Sequence, residues 1–364
     1  MQEKCDYLIV GAGFAGCILA ERLTSIGKKV ILIDKRDHVG GNCFDFTNPK
    51  GLLVHKYGPH YFRTDSDQVK DYLSKFTEWI PAEYIVKAFV NGKLYPLPIN
   101  RDTINQFFNI NLQGEEEAKY FMEKKREKIE NPKNAEEFAL SVFGREIYEA
   151  FFKNYTKKHW GIDARDLAPS VVARIPLRHN TNNKYVNEKF QAMPKEGYTK
   201  MFEKMLKNTK VLLNTDFKKT NEIDYKRLIF TGPIDEFFDY KFGKLPYRSV
   251  KFNFIDLKQK NHQPSVQINY PNDFDFTRKV EIKHVTGQKE HDFTTVVEEF
   301  PCDEGDPFYP IPNEKNEELY KKYKEEADKL ANVFFIGRMA EYKYLNMDHV
   351  AKKALELFDK IKND

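Results

Sequence analysis

Near its start the chain carries a continuous apolar run, Tyr7-Leu8-Ile9-Val10, which stops at Gly11-Ala12-Gly13-Phe14-Ala15-Gly16. Apolar residues then recur at helical spacing, at Ala15, Leu19, Leu23 and Ile26, until Gly27. A strand, a glycine turn and a helix are expected, and Lys29-Val30-Ile31-Leu32-Ile33 adds a second buried strand ending in Asp34. Much later, Val211-Leu212-Leu213, Arg227-Leu228-Ile229-Phe230-Thr231-Gly232 and Val333-Phe334-Phe335-Ile336-Gly337 supply three more short apolar strands, the last followed by a helical pattern through Val350–Leu357. The pattern predicts one nucleotide-binding domain assembled from residues 1–80, 194–245 and 325–364. Between these pieces the texture changes. Glu115–Ile129 and Asn134–Lys153 are charge-rich and helical in period, which makes 100–165 a helical domain. Residues 166–193 and 246–324 are assigned to an antiparallel sheet domain, on alternations such as Val250-Lys251-Phe252-Asn253-Phe254 and Val266-Gln267-Ile268-Asn269-Tyr270. The fold class expected is therefore mixed α/β: a discontinuous Rossmann-like domain, a helical domain and an antiparallel sheet domain.

Composition narrows the function. The chain has 364 residues with 41% hydrophobic content, enough for several cores. Its 59 basic and 55 acidic residues leave a net charge of +4, too balanced for a general nucleic-acid binder. The Lys/Glu run from Lys315 to Lys329 is expected to be a solvated helix face. No apolar run approaches the roughly 18 residues of a membrane span, and no cleavable leader pattern precedes the first strand. Cys5, Cys17, Cys43 and Cys302 contain no Cys-x-x-Cys pair, so neither a zinc site nor a disulfide framework is indicated, and a cytoplasmic location is expected. The unusual feature is an aromatic content of 14%, from 30 Phe, 20 Tyr and 2 Trp.

The Gly-x-Gly-x-x-Gly spacing at Gly11, Gly13 and Gly16 carries the first chemistry. The first glycine allows a tight turn, the second lets backbone approach a pyrophosphate, and the third lets the helix pack close to the strand. Free N–H groups at the helix start then face the phosphates. Asp34, 18 residues after the third glycine, stands where a carboxylate accepts bonds from a ribose hydroxyl. Gly40-Gly41-Asn42, five residues beyond Asp34, extends the fingerprint as in FAD proteins, and the late Gly337-Arg338 strand end suits a cofactor with a long arm. FAD is favoured over NAD.

Several further blocks resemble the bacterial UDP-galactopyranose mutase family. They are His55-Lys56-Tyr57-Gly58-Pro59-His60-Tyr61-Phe62, Asn154-Tyr155-Thr156-Lys157-Lys158-His159-Trp160-Gly161, Arg174-Ile175-Pro176-Leu177-Arg178, Thr231-Gly232-Pro233-Ile234-Asp235 and Gly337-Arg338-Met339-Ala340-Glu341-Tyr342-Lys343-Tyr344. The resemblance runs from residue 7 to about 355, in family order. It implies an isomerase that exchanges the pyranose and furanose rings of a UDP-sugar without net redox change. Attack of reduced FAD N5 on the anomeric carbon displaces UDP, the sugar ring opens and recloses through its 4-hydroxyl, and UDP returns. It further implies that Arg174 and Arg278 hold the diphosphate and are the catalytic pair, since a guanidinium fork suits phosphate oxygens and keeps its charge. Tyr155, Tyr185, Tyr309 and Tyr344 match phosphate- and sugar-contacting positions. Phe152, Thr156 and Trp160 match the uridine pocket and its mobile lid, and Asn269 a position near uridine and sugar. On the cofactor side the resemblance implies Gly11, Gly13, Phe14, Gly16, Asp34, Arg36, Gly41, Asn42, His60, Arg338, Phe217 at the adenine end, and Met347 ahead of the final helix. No metal is implied. A UDP-sugar substrate, a flavin reductant such as NAD(P)H and a homodimer are the partners implied.

The chain departs from the family pattern at two substrate positions. Arg63 stands where UDP-galactose enzymes commonly have His, and Asn346 where they have Asp. The added planar charge and the lost negative charge point to a 2-acetamido sugar, UDP-N-acetylgalactosamine, alone or with UDP-galactose. At the ribose position Asp34 replaces the Glu common in FAD proteins, with a shorter reach. Rival readings are an FAD-dependent oxidoreductase of the amine-oxidase type, which would turn over in air, and a mutase for another nucleotide-diphosphate deoxy sugar. An inactive sugar-nucleotide binder would be expected to lack the two arginines. A UDP-sugar dehydrogenase would need a catalytic cysteine in a late motif, a setting that Cys302 does not have.

Overall fold

A computed structural model describes residues 3–220 and 223–363. Positions 1, 2, 221, 222 and 364, all in the expected nucleotide-binding domain, lie outside the described residues. The chain divides into two compact units, one of Met1–Ala82, Glu188–Pro246 and Lys315–Asp364, the other of Glu83–Asn187 and Tyr247–Glu314.

The first unit is built on a five-stranded parallel sheet in the order Lys210–Leu212, Val30–Ile33, Glu3–Val10, Ile223–Phe230, Val333–Phe335. Its inner strands are apolar because both faces are covered. Val10 ends level with Ile33 and Phe230, and there the chain turns. Gly11 adopts φ +101°, and a side chain on it would strike the Thr231 hydroxyl. A Cβ on Gly16 would overlap the Gly11 carbonyl, so the third glycine sets how closely the helix Phe14–Ser25 lies against the turn. The helix Met347–Ile361 packs on Phe14–Ser25, and the Tyr7 hydroxyl donates to the Ile361 carbonyl at 3.3 Å. Aromatic residues cluster on this sheet: half-buried Phe217, Phe237 and Phe335 pack edge-to-face or stacked around buried Phe230 and one another, at centroid distances of 4.9 to 6.0 Å. A separate three-stranded antiparallel sheet joins Phe62–Thr64, Phe190–Pro194 and Trp79–Pro81.

The second unit contains a seven-stranded sheet in the order Tyr309–Pro310, Tyr247–Leu257, Thr294–Cys302, Arg278–Val280, Gln267–Asn269, Val86–Val90, Lys93–Leu97. Every pairing is antiparallel except Gln267–Asn269 with Val86–Val90. The last hairpin was not among the expected elements. It turns at Asn91-Gly92, both at positive φ, the preferred chemistry for a two-residue turn.

Helices Arg101–Phe108, Glu115–Lys125, Ala135–Phe143 and Asn154–Trp160 occupy the expected helical stretch. Gly144, at φ +77°, breaks the predicted Asn134–Lys153 element, and Tyr148–Lys153 forms a wide π-helical turn. A side chain on Gly144 would meet the Lys125 carbonyl at 2.5 Å.

The domain division differs from expectation in three respects, the simplest being that residues 315–324 belong to the first unit. Helices and antiparallel sheet form one unit, because Tyr95 of the hairpin packs edge-on against Phe107 and Phe151. Lys158 also donates to the Tyr270, Phe274 and Phe276 carbonyls at 2.5, 2.8 and 3.3 Å. The strand Phe190–Pro194 belongs to the first unit, where it pairs with Phe62–Thr64.

Glu281, fully buried, is a hub of the second unit. Its carboxylate accepts from the backbone N–H groups of His262 and Gln263, the Thr294 hydroxyl at 2.5 Å and His284 Nε2 at 3.1 Å. Burial opposes its ionisation, but these donors prevail and hold it below its ordinary value of 4.5. A carboxylate with a depressed native pKa stabilises the fold above its unfolded pKa, and that contribution is lost as pH falls through the native value. We expect Glu281→Gln to lower the apparent melting temperature at pH 7 and to shrink the gap between wild type and variant as pH is lowered below about 4, measured by circular dichroism; a gap constant down to pH 3 would contradict this role.

Candidate active site

In the first unit the nucleotide cradle is made of backbone. Gly13, the N-cap of Phe14–Ser25, has ordinary φ −83°, and a Cβ there would come no nearer than 4.0 Å to any neighbour, the Gly41 Cα. The helix start therefore presents its amides beside open space, as pyrophosphate binding requires. Gly41, at φ +56°, needs glycine: its Cβ would press on the Gly13 Cα at 3.0 Å. Asp34 is buried at the end of its strand, where Oδ2 accepts from the Ala12 N–H at 2.7 Å and Oδ1 from the Arg36 N–H at 2.8 Å. Each oxygen keeps lone-pair capacity for a ribose hydroxyl. Arg36 donates to Asn42 Oδ1 at 3.0 Å and lies 4.4 Å over the Tyr57 ring.

The other expected cofactor residues fall in this unit too. His60 donates its N–H to His55 Nδ1 at 3.0 Å, and burial pushes the His55 imidazole down to about 3. Arg338 donates to the Leu345 carbonyl at 2.8 Å and stacks 4.8 Å over Tyr344, which is exposed. Phe217 is part of the aromatic cluster. Phe14 is buried, edge-on to Phe202 and Tyr198. Met347 is the first residue of the last helix rather than a residue ahead of it, and the N-cap is Asn346, whose side chain makes no capping bond. Arg63 does not project an unpaired charge: its Nε is 2.8 Å from Glu188 Oε1, across the sheet that joins Phe62–Thr64 to Phe190–Pro194.

In the second unit, sheet register assembles a charged centre. Asn269 lies opposite Arg278, and Arg278 opposite Glu299, so three strands place these side chains in one row. Arg278 Nε and Glu299 Oε2 are 2.7 Å apart, with side chains 16% and 2% exposed. Burial pushes the carboxyl of Glu299 up, and the Arg278 charge opposes that. Gln267, two residues from Asn269 on the same face, donates to Asn269 Oδ1 at 2.7 Å and accepts from the Tyr84 hydroxyl at 2.8 Å.

Tyrosines surround the guanidinium. Burial lowers the affinity of Arg278 for its proton, but Glu299, Tyr155, Tyr309 and Tyr84 outweigh this and hold its pKa above the ordinary value. The Tyr155 phenol is pushed up to about 12, chiefly by burial, with Arg278 and Arg174 pulling the other way. Tyr185 is held beside Tyr84 through its backbone N–H to the Tyr84 carbonyl, in a loop tied down by Arg178, which donates to the Asn182 and Lys184 carbonyls and to Asn187 Oδ1.

Arg174, exposed at the end of Ser170–Ala173, donates to the Val171 carbonyl at 3.2 Å. Phe152, in the π-helical turn, packs tilted against Phe143 with ring centroids 4.6 Å apart; Thr156 and Trp160 are buried on the following helix. The sequence did not single out Glu299, Tyr84 or His159, which the fold brings to the same centre. A helix of at least 18 residues apolar enough to cross a membrane, and a cluster of metal-ligating side chains, are both absent among the described residues.

A glycine cradle for a dinucleotide and a cationic, phenol-lined centre define a nucleotide-binding α/β enzyme of the flavoprotein kind. The UDP-galactopyranose mutase family model matches residues 150–344, and a NAD(P)-binding Rossmann-like domain model matches 9–76. "Probable UDP-galactopyranose mutase" of Klebsiella pneumoniae is 39% identical, covering 97% of this chain and 94% of its own length. The dTDP-fucopyranose mutase of Escherichia coli is 37% identical, covering 96% of each. The chain belongs to the UDP-galactopyranose mutase family, and is a nucleotide-sugar mutase whose membership implies FAD. The fold is that of a crystal structure of reduced UDP-galactopyranose mutase, with TM-score 0.79, 18% identity, and coverage of 99% and 96% of the two chains.

The open side of Gly13 makes the cradle testable apart from activity. Gly13→Ala suits the local backbone, and its Cβ comes no nearer than 4.0 Å to the Gly41 Cα, but it occupies the space a pyrophosphate would take. Purified variant is expected to melt within a few degrees of wild-type apoprotein while retaining less than about a tenth of the FAD, read by visible absorbance. Full FAD content would remove Gly13 from the cofactor site.

Proposed function

We propose that the protein interconverts the pyranose and furanose forms of a UDP-linked sugar of galactose configuration, UDP-N-acetylgalactosamine, UDP-galactose or both, with no net redox change. The observation that carries this reading is Arg278, a permanent cation largely withdrawn from water and within electrostatic reach of Tyr84, Tyr155 and Tyr309. A departing diphosphate needs such a fixed charge, with phenol donors to orient its oxygens. Glu299 limits the net charge of the centre, so that the diphosphate is held without being trapped. Arg174, closer to solvent, supplies a second cation to the same anion. FAD, when bound and reduced, would supply a nucleophilic nitrogen for covalent chemistry at the anomeric carbon. Gly11, Gly13, Gly16, Asp34, Arg36, Gly41, Asn42 and Arg338 would hold it, with His60, Phe217 and Met347 beside it. An NAD(P)H-type reductant and a homodimer accompany this reading.

Two residues support the sugar assignment. Arg63, fixed through Nε by Glu188, keeps its terminal nitrogens for an acceptor such as an acetamido carbonyl. Asn346 adds no negative charge. The 37% identity to a dTDP-fucopyranose mutase favours a second reading, a 6-deoxy sugar on dTDP.

Anaerobic incubation with dithionite, followed by chromatography, should convert UDP-N-acetylgalactosamine or UDP-galactose to the furanose form, and air-oxidised enzyme should be inactive. Equal activity in both redox states would defeat the flavin-nucleophile mechanism, and conversion of dTDP-fucose alone would favour the second reading. Arg63→His is expected to shift the ratio of kcat/KM about tenfold from the acetamido sugar toward galactose. An unchanged ratio would dismiss Arg63 as its determinant. Arg278→Lys keeps a cation beside Glu299 but loses the planar fork, and should lower kcat by roughly 100-fold. A loss under threefold in steady-state assays would exclude Arg278 from the diphosphate.

A further inference from the structure

His159 lies outside every role assigned above. It is 4% exposed on the helix Asn154–Trp160, with ring centroids 5.0 Å from Tyr309, 5.1 Å from Trp160 and 6.0 Å from Tyr155. Its backbone is pinned, since the carbonyl accepts from Arg248 Nε at 3.0 Å. Its imidazole is not: Nδ1 is enclosed with no hydrogen-bond partner, whereas Nε2, to which none of the described residues bonds, is not enclosed. Burial, then the charges of Arg278, Arg174 and Arg248, keep the ring uncharged well below the ordinary histidine pKa. A neutral imidazole carries one N–H. An enclosed nitrogen is better left as a lone pair than as an orphaned donor, which places the proton on Nε2. An imidazole N–H that the protein leaves unbonded and unenclosed is free for a ligand, and this ring lies among the phenols and arginines assigned to the diphosphate.

We propose that His159 is a third ligand of the nucleotide diphosphate, its Nε2–H donating to a phosphate oxygen alongside Arg174 and Arg278. This rests on the diphosphate assignment of the preceding section. The chemistry differs from that of the arginines. An uncharged donor adds direction without adding another positive charge, which suits a leaving group that must depart and come back.

The test is equilibrium binding of UDP and of uridine to the FAD-containing protein, by calorimetry at pH 7.5. His159→Phe should weaken UDP about tenfold or more while leaving uridine within twofold, and His159→Gln, which restores an N–H donor, should recover UDP to within about threefold of wild type. Equal weakening of UDP and uridine would make the ring a packing element, and unaltered UDP affinity would also overturn the proposal. Wild-type protein that binds UDP no more tightly than uridine would defeat the diphosphate assignment and this proposal together. Should the Phe variant not fold, wild-type protein labelled with 15N-histidine decides: UDP should shift the Nε2 resonance of His159, and no shift refutes the contact.

Discussion

A guanidinium removed from water is stable only where negative charge and oriented dipoles replace its hydration. The second unit is organised around meeting that condition for Arg278. Glu299 supplies the charge from the neighbouring strand, and the phenols supply dipoles from three separate stretches of chain. The row Asn269, Arg278, Glu299 exists only in one register, because a slip of one residue would turn each side chain to the opposite face. The pairings of Arg278–Val280 with Gln267–Asn269 on one side and Thr294–Cys302 on the other set that register. Without an anion the centre holds one buried cation and one buried carboxylate whose Oε1 has no hydrogen bond, and a bound diphosphate would change the sum.

The first unit meets a different demand by different means. Its anion-binding surface is backbone, so its requirements are steric: a positive φ at Gly11 and Gly41, and close approach at Gly16. Charge is nearly absent from the turn itself. One polyanion would thus be met by helix amides, and another by side-chain cations and phenols.

Much of the first arrangement was legible in the sequence because it is local. Gly11, Gly13, Gly16 and Asp34 fall within two dozen residues, and each glycine's task follows from its spacing. The expectation that Arg174 and Arg278 hold a diphosphate rests on family resemblance alone. Glu299 was not legible, because Glu298 and Glu299 are adjacent and nothing local says which faces inward. The structure pairs Glu298 with the partly exposed Lys279 and Glu299 with Arg278. Arg63 was read as a charge beside a sugar, but its partner Glu188 is 125 positions away, beyond any local pattern. The Asn91-Gly92 pair is itself a local hairpin signal, and both residues take the positive φ such a turn requires. Three bodies became two because aromatic contacts such as Tyr95 with Phe151 do not show in periodicity. They account for part of an aromatic content that composition alone left without a location.

The chain's threading has a consequence for biosynthesis. Every residue of the second unit is translated before the strand Val333–Phe335 and the helix Met347–Ile361, which complete the first. Chains emerge from the amino end, and units fold as their parts become available. The glycine turn must therefore wait for every residue of the second unit to be made before its sheet has its outer strand and its helix has a neighbour.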